Sequence, residues 1–304
     1  MTTESQGLAQ VLSHAMSRPT SRPTSRQLGH AISRRKLIAC GFAASWSTCA
    51  DAAGAVDSVF AEELTWTEFR DRVATGSTTL LVPIGGTEQN GPHMVLGKHN
   101  VRVRLLAGLI AKSLGAALVA PVMAYVPEGG IDPPVAHMRY AGTVSISEAE
   151  FEAVLESTAR SYKRHGLRDI VLLGDHGGYQ RQLQRVADKL NREWRNPASA
   201  ADCRVHALSE YYQASSRGHA QLLAARGFSA AEIGTHAGLA DTALTLALDP
   251  TLVRSEAQGR VGKPGSRDGV SGDPSKASAQ LGQLGVEHIV AASVAAIRAR
   301  VSAR

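Results

Sequence analysis

Two short apolar runs constrain the fold of this chain more than any other feature. Residues 79–84 and 169–173 are mostly apolar, and each run ends at glycine followed by polar side chains. Runs this short, without polar alternation, are typical of strands that are buried on both faces. Such strands occur in parallel sheets that helices cover on both sides. We therefore predict an α/β fold.

Helical patterns alternate with these runs along the chain. Thr65 with Glu68, and Ser147 with Glu150, have the spacing of capping boxes and predict two helix starts. Further strands are predicted at 117–122 and 203–208, and further helices at 100–114, 180–194, 210–226, 239–248 and 278–301. This alternation predicts a three-layer αβα sandwich around a mostly parallel central sheet. Residues 56–304 would form one domain.

The first 55 residues have a different character. Residues 17–26 are a low-complexity repeat of serine, arginine, proline and threonine, which cannot build a core. Paired arginines at 34 and 35 precede a modest apolar run, 39–50, and small residues follow it. This order is typical of a twin-arginine export signal, and the run is shorter than the roughly 20 residues of a membrane span. We predict an exported, periplasmic protein without a stable membrane span.

Two simpler interpretations of the N-terminus stay open. Residues 1–55 could be a disordered extension without an export function, or translation could begin at Met16. Cys40 and Cys49 lie in this leader, which leaves Cys203 alone in the predicted mature chain. No disulfide within that chain is then expected, nor a zinc site of the Cys-x-x-Cys type.

The charge distribution argues against a nucleic-acid partner. The whole chain has a formal net charge of +6, and the leader carries six basic residues against two acidic ones. About +2 therefore remains on the other 249 residues. A nearly balanced body with only 5% aromatic residues offers neither a basic face nor many stacking platforms.

Polar side chains capable of metal binding follow the apolar runs or open a helix. They are Glu88, Asn90, His93 and His99, then Asp175 and His176, and finally His236 and Asp241. Because the carboxyl ends of parallel strands meet at one edge of the sheet, these groups can converge there. Carboxylates and neutral imidazoles hold divalent ions, which lower the pKa of a bound water toward about 7. The sequence therefore predicts a metal-assisted hydrolytic site.

Five ordered motifs reveal a family resemblance. They are residues 85–93, 137–143, 174–178, 236–242 and 272–274. In this order they resemble the creatininase (creatinine amidohydrolase) family of metal-dependent hydrolases. The resemblance implies a single αβα sandwich domain, a divalent metal (zinc, manganese or iron) and hydrolysis of C–N bonds in a small-molecule amide. It also implies a homo-oligomer, often a hexamer.

The resemblance assigns roles to individual residues. Glu88 matches the family's first glutamate ligand, and His176 matches the histidine of its Asn-Gly-His-Gly-Gly motif. Asp175 stands where glycine is usual in that motif, and Asp241 stands where a later glutamate is usual. His236 matches a histidine near the scissile bond and is a candidate proton shuttle. Glu88 and His236 are therefore the predicted catalytic residues.

Two positions depart from the family pattern. Asn90 replaces a histidine, and His99 replaces the aspartate that bridges two metal ions. One imidazole nitrogen normally binds one ion, whereas a carboxylate can bridge two. We therefore expect one firmly held ion and leave a second ion open. The predicted ligands are Glu88, His99, His176 and Asp241.

Four more polar residues are predicted to support the ligands or to contact substrate. They are Asn90, His93, His137 and Asp175. His93 and His137 could equally well anchor their loops. Two alternatives to an amidohydrolase also stay open: a protein of the same fold that has lost catalysis and serves as a metal-binding scaffold, or a hydrolase that acts on a peptide end.

Overall fold

A four-stranded parallel sheet lies at the centre of the structure, a computed structural model that describes residues 58–195, 203–258, 261 and 267–302. The strands are β1 (Thr79–Ile84), β2 (Ala117–Val119), β3 (Asp169–Gly174) and β4 (Arg204–Ala207). Their order is β2-β1-β3-β4, and every neighbouring pair is parallel. The predicted parallel sheet is confirmed.

Ten α-helices connect or flank the strands within the described residues. They are α1 (Trp66–Ala74), α2 (Lys98–Leu114), α3 (Glu148–Arg164), α4 (Gln180–Trp194), α5 (Ser209–Gln213), α6 (His219–Ala224), α7 (Ala230–Ile233), α8 (Leu239–Leu248), α9 (Ser255–Gln258) and α10 (Ala279–Val301). Short 3₁₀ turns include Ala136–Arg139 and Gly177–Tyr179, and a π-helical turn, Ala214–Gly218, joins α5 to α6. Both predicted capping boxes, at Thr65 and Ser147, are formed.

The sheet separates two hydrophobic cores, because its side chains alternate between its faces. On one face, Leu80 and Val82 pack with α3 and α4; on the other, Leu81 and Leu173 pack with α2, α8 and α10. These cores make the three layers of the predicted αβα sandwich. The sandwich presents the carboxyl ends of β1 and β3 side by side.

The connections of the sheet place the site. From β1 the chain crosses to β2 on one side, while β3 lies on the other side of β1. Ligands of open α/β sheets bind at such a switch point, outside the carboxyl ends of the strands. The segments that carry Glu88 and His176 begin there.

The predicted export signal and its cleavage sites fall outside the described residues, and the domain boundary at residue 56 stays a prediction. Among the helices of the described ranges, none combines the length and apolarity that crossing a membrane requires. Cys203 is buried and forms no disulfide with another described residue.

Candidate metal centre

Glu88 lies in the turn that follows β1 and is fully buried. Its backbone N–H donates to the carbonyl oxygen of Leu96 at 3.2 Å, which folds residues 88–96 into a closed loop. Gly86 has φ +149°, and a Cβ there would lie 2.2 Å from Oε1 of Glu128. Only glycine fits this approach, so the loop after β1 lies directly against Glu128.

Glu128 comes from the long loop that follows β2. Its backbone N–H donates to the hydroxyl of Ser145 at 3.0 Å, and its side chain is buried. Neither carboxylate oxygen of Glu128 has a hydrogen-bond partner among the described residues, and the same holds for Oε2 of Glu88. Buried carboxylate oxygens without partners are costly, and a bound cation would remove that cost.

Two histidines complete a cluster with these carboxylates. Nε2 of His137 lies 3.2 Å from Oε2 of Glu88, and Nε2 of His176 lies 3.5 Å from the same oxygen. One ligand atom from each of Glu88, Glu128, His137 and His176 lies within 4.8 Å of the other three. In a tetrahedral zinc site with bonds of 2.0–2.1 Å, ligand atoms are roughly 3.3 Å apart. Small movements would therefore close these four groups on one ion.

Local structure presents both histidines to the cluster. His137 lies in the 3₁₀ turn Ala136–Arg139, next to Ala136 at φ +50°, and Nε2 of Gln89 donates to its Nδ1 at 3.2 Å. His176 precedes the turn Gly177–Tyr179 at the end of β3. Left-handed backbone at a residue with a side chain is strained and clusters at functional sites.

The two buried carboxylates titrate as a pair. Burial and the nearby charge of Glu88 raise the pKa of Glu128 to about 9. Burial also acts to raise the pKa of Glu88, but the hydrogen bond and charge of His99 outweigh it and lower that pKa below its usual value. Without a cation, the pair therefore holds one proton on Glu128 at neutral pH. A divalent ion would displace that proton.

Burial also keeps two imidazoles of the site neutral. It lowers the pKa of His176 to about 3 and that of His236 to about 4. Neutral imidazole is the form that binds metal or accepts a proton. Two carboxylate oxygens and two imidazole nitrogens are a donor set that suits zinc or manganese, so the residues present fit a divalent ion.

Asp175 and Asp241 lie beside this cluster, and protein donors satisfy both. Asp241 accepts hydrogen bonds from the ammonium of Lys98, from Arg102 at 2.6 Å and from the backbone N–H of Ala237 at 2.9 Å. Asp175 accepts from Arg102 at 2.8 Å and from the hydroxyl of Tyr211 at 2.7 Å. The structure thus places Asp241 in an ion-pair network rather than among the four clustered ligands, and its predicted ligand role stays a prediction.

His99 connects the two groups of carboxylates. Its Nε2 lies 2.8 Å from Oε1 of Glu88, and its Nδ1 lies 2.6 Å from Oδ2 of Asp175 and 3.1 Å from Nη2 of Arg102. Protein groups therefore contact both ring nitrogens. His99 therefore contacts a clustered ligand, and its own role as a ligand also stays a prediction.

His236 faces Glu88 from the segment that precedes α8. Its Nε2 lies 2.9 Å from both the carbonyl oxygen and the side-chain amide nitrogen of Gln89, and its Nδ1 lies 3.8 Å from Oε1 of Glu88. The next residue, Ala237, has φ +52°, and its N–H is held by Asp241. Asp241 thereby fixes the turn that presents the predicted proton shuttle.

Asn90 and His93 are buried in the loop after Glu88. The amide of Asn90 donates to the carbonyl oxygens of Glu88 at 2.9 Å and Val95 at 3.0 Å. Nε2 of His93 lies 2.9 Å from the hydroxyl of Thr242 in α8. Both side chains hold the loop in shape, and their predicted role in supporting the ligands or contacting substrate stays a prediction.

Sequence reasoning did not find Glu128, and it placed His137 only among the supporting residues. Glu128 lies in the long loop beyond the predicted strand 117–122, and the length of that loop indicated a functional or disordered segment without singling out this carboxylate. One signal was present: a lone glutamate before Gly129 and Gly130, in a segment whose other side chains are largely apolar.

An open cavity of about 440 Å³ borders the site. Its wall includes His137, His176 and His236 on one side, and Tyr212 and Arg217 from the segment around the π-helical turn on the other. A cavity of this size admits a small molecule or the end of a peptide.

Comparison with known proteins shows to which enzymes this chain is similar. The profile of the family described as "Creatininase: Creatinine amidohydrolase" matches residues 62–297. Creatinine amidohydrolase of Pseudomonas putida is 32% identical over 201 residues, which cover 64% of this chain and 74% of the relative.

Peptidases are also among the relatives. The mycofactocin precursor peptide peptidase of Mycobacterium tuberculosis is 30% identical over 220 residues, covering 68% of this chain and 79% of the relative. The peptidase of the same name from Mycolicibacterium smegmatis is 35% identical over 137 residues, covering 42% and 53%.

Solved structures extend the likeness to the fold. A manganese creatininase superposes with a TM-score of 0.67 at 30% identity, covering 80% of this chain and 98% of the other. A creatininase variant of the Zn-Zn type gives the same score, identity and coverage. The profile match, the relatives and the shared sheet topology together show that this chain belongs to the creatininase family.

Proposed function

We propose that this protein hydrolyses a C–N bond of an amide or cyclic amide with one divalent ion held by Glu88, Glu128, His137 and His176. The observation that carries this proposal is the buried carboxylate pair, whose orphaned oxygens face two histidines at the mouth of a cavity. When bound, the ion supplies a polarising charge for the substrate carbonyl and a water of lowered pKa.

The chain's own residues supply orientation and proton transfer. His236 stays neutral, with Nδ1 free toward Glu88, and this nitrogen accepts a proton from the attacking water and returns it to the leaving nitrogen. The contacts from Nε2 to the carbonyl oxygen and the side-chain amide of Gln89 hold the ring in position. The hydrogen bond from His99 orients Glu88 in the same way that outer partners orient metal ligands.

Metal analysis followed by a Glu88→Gln variant tests this proposal. Purified protein loaded with Mn²⁺ or Zn²⁺ would be screened against cyclic amides, formamides and short peptides. We expect hydrolysis that stops on chelation and returns with metal. Hydrolysis that survives complete metal removal would overturn the mechanism, and a metal-loaded protein inactive on every amide would favour the scaffold alternative.

A peptide-end hydrolase is the second candidate. It is supported by the relatives that are named peptide peptidases and by the open cavity beside His137. Comparison of short peptides with cyclic amides as substrates separates the two classes. A kcat/KM for peptides that exceeds that for cyclic amides would favour this candidate.

We also propose export by the twin-arginine route, on the sequence pattern of residues 1–55, and assembly into a homo-oligomer. A fusion of residues 1–57 to a folded reporter, compared with an Arg34→Lys/Arg35→Lys fusion, tests export through the reporter's location. Light scattering of the purified domain tests assembly. A monomeric mass or an unexported wild-type fusion would overturn the corresponding proposal.

A further inference from the structure

Lys98 is a fully buried lysine at the start of α2. Burial of an ammonium is costly unless partners compensate its charge, so a buried lysine beside a cavity marks a functional position. The recorded partner of its Nζ among the described residues is Asp241. An ammonium has three N–H donors, so two are left to point elsewhere.

The surroundings of Lys98 show where this charge acts. Lys98 borders the same cavity as His176 and His236. Its positive charge helps to lower the pKa of both histidines, after burial, and of Glu88. The ammonium therefore lies close enough to the proposed metal centre to influence charge that develops there.

Arg102 is the other buried cation that the structure describes near the proposed metal centre, and its donors are already used by carboxylates. Its guanidinium donates to Asp175 at 2.8 Å and to Asp241 at 2.6 Å, so two carboxylates use its hydrogen-bonding edges. Lys98 differs from its neighbour because Asp241 is the one carboxylate that its ammonium contacts among the described residues, in a residue that borders the cavity.

Amide hydrolysis places negative charge on the carbonyl oxygen, and fixed positive groups stabilise that charge best in a site shielded from water. We propose that Lys98 is the second positive centre of the active site and donates a hydrogen bond to the carbonyl oxygen of the amide substrate. This inference rests on the proposed hydrolase function. It makes Lys98 a catalytic residue beside a single bound ion.

A Lys98→Met variant tests the role, since methionine keeps most of the volume and removes the charge. With the amide substrate found in the screen, we expect kcat to fall about 100-fold while KM changes little, as for loss of one oxyanion donor. Metal content should stay at one ion per chain for both proteins. Lys112→Met, at an exposed position of the same helix, is the matched control and should keep full activity.

Two further measurements separate catalysis from folding. Lys98→Ala should regain activity when ethylammonium is added, whereas a purely structural lysine would show no such rescue. If Lys98→Met fails to fold, the Lys98→Met/Asp241→Asn double variant removes both charges and should recover the Tm without recovering kcat.

Four outcomes would overturn the inference. They are a kcat of Lys98→Met within threefold of wild type, absence of rescue of Lys98→Ala by ethylammonium, two metal ions per wild-type chain, or recovery of kcat in the double variant. The wild-type assay distinguishes this failure from failure of the proposed function, because a wild-type protein inactive on every amide removes the hydrolase itself.

Discussion

Two pairs of carboxylates lie on either side of His99, and all four are buried except Asp241, whose side chain is 17% exposed. The two pairs differ in how the protein compensates their charge. Asp175 and Asp241 are surrounded by Lys98, Arg102 and Tyr211, and every carboxylate oxygen of that pair has a donor. Glu88 and Glu128 have three oxygens without partners among the described residues. The first pair is neutralised by the chain, whereas the second is neutralised only by a proton or by a metal.

This difference indicates which carboxylates are ligands and which are support. Burial of an unpaired charge costs several kcal/mol, so the folded chain must compensate it somehow. The Asp175/Asp241 pair is compensated on folding, and it therefore positions neighbouring groups in the absence of any ion. In the proposed site an ion would complete the Glu88/Glu128 pair, and this would couple metal binding to the stability of the site.

Glu88→Gln should have the largest effect. It removes the carboxylate that contacts His99, His137 and His176, so we expect kcat/KM to fall at least about 10³-fold and metal binding to be largely lost. Steady-state kinetics and metal analysis measure both effects. Glu287→Gln, at an exposed position in α10, is the control. If Glu88→Gln kept both metal and activity, Glu88 would not be a ligand, and the proposed difference between the Glu88/Glu128 and Asp175/Asp241 pairs would be wrong.

Glu128→Gln tests whether the second pair is a ligand pair. Loss of one of four ligands should weaken metal affinity by about 100-fold. This is the upper end of the loss seen when a residue that only supports a metal ligand is mutated. Titration of the metal-free protein measures the affinity, and Asp241→Asn serves as the comparison. If Asp241→Asn weakened metal binding more than Glu128→Gln did, the ligand set predicted from sequence would be favoured instead.

Asp241→Asn should act on stability. Without this carboxylate, Lys98 loses its recorded partner and Arg102 keeps only Asp175, so the free energy of unfolding should fall by about 3 kcal/mol. Urea denaturation of the metal-free protein measures it, and Asp188→Asn on the exposed face of α4 is the control. A loss below about 0.5 kcal/mol, the size expected at an ordinary surface position, would show that the network is not a stabilising one.

Most of the fold could be predicted from the sequence, because its determinants are local. The run 79–84 has no exposed face, and the capping boxes at Thr65 and Ser147 define helix starts without reference to the rest of the chain. The π-helical turn Ala214–Gly218 was not predicted. At Gly218 a Cβ would lie 2.2 Å from Nε2 of His288, so tertiary packing against α10 accompanies that interruption.

The site was predictable only in part. Glu88 and His176 follow strands, so the sheet brings them together, whereas Glu128 depends on the path of a long loop. The sequence analysis assigned no role to Lys98 or Arg102, because the sequence alone does not show that they contact Asp241. Residue types therefore indicated a metal centre, but the choice among four carboxylates required the tertiary structure.

A pH-dependent effect is expected at His93, which lies against α8 beside the paired aspartates. Burial lowers its pKa to about 4 from an ordinary value of 6.5. The unfolded chain therefore binds a proton at this residue before the folded chain does. His93 accordingly contributes stability that is constant above pH 6.5 and is lost as the pH falls toward 4.

The loss approaches about 3 kcal/mol at pH 4, since one pKa unit corresponds to about 1.4 kcal/mol. Other buried histidines act in the same direction, so the contribution of His93 is the difference between wild type and His93→Gln. Urea denaturation at pH 7.5, 6, 5 and 4 should show a shallower decline for the variant, while His165→Gln follows the wild type. Parallel curves for wild type and His93→Gln would mean that the loop beside the paired aspartates admits a charged imidazole. The Asp175/Asp241 region would then tolerate an additional buried charge. This would weaken the contrast with the Glu88/Glu128 pair, which rests on full compensation of the aspartates by the chain.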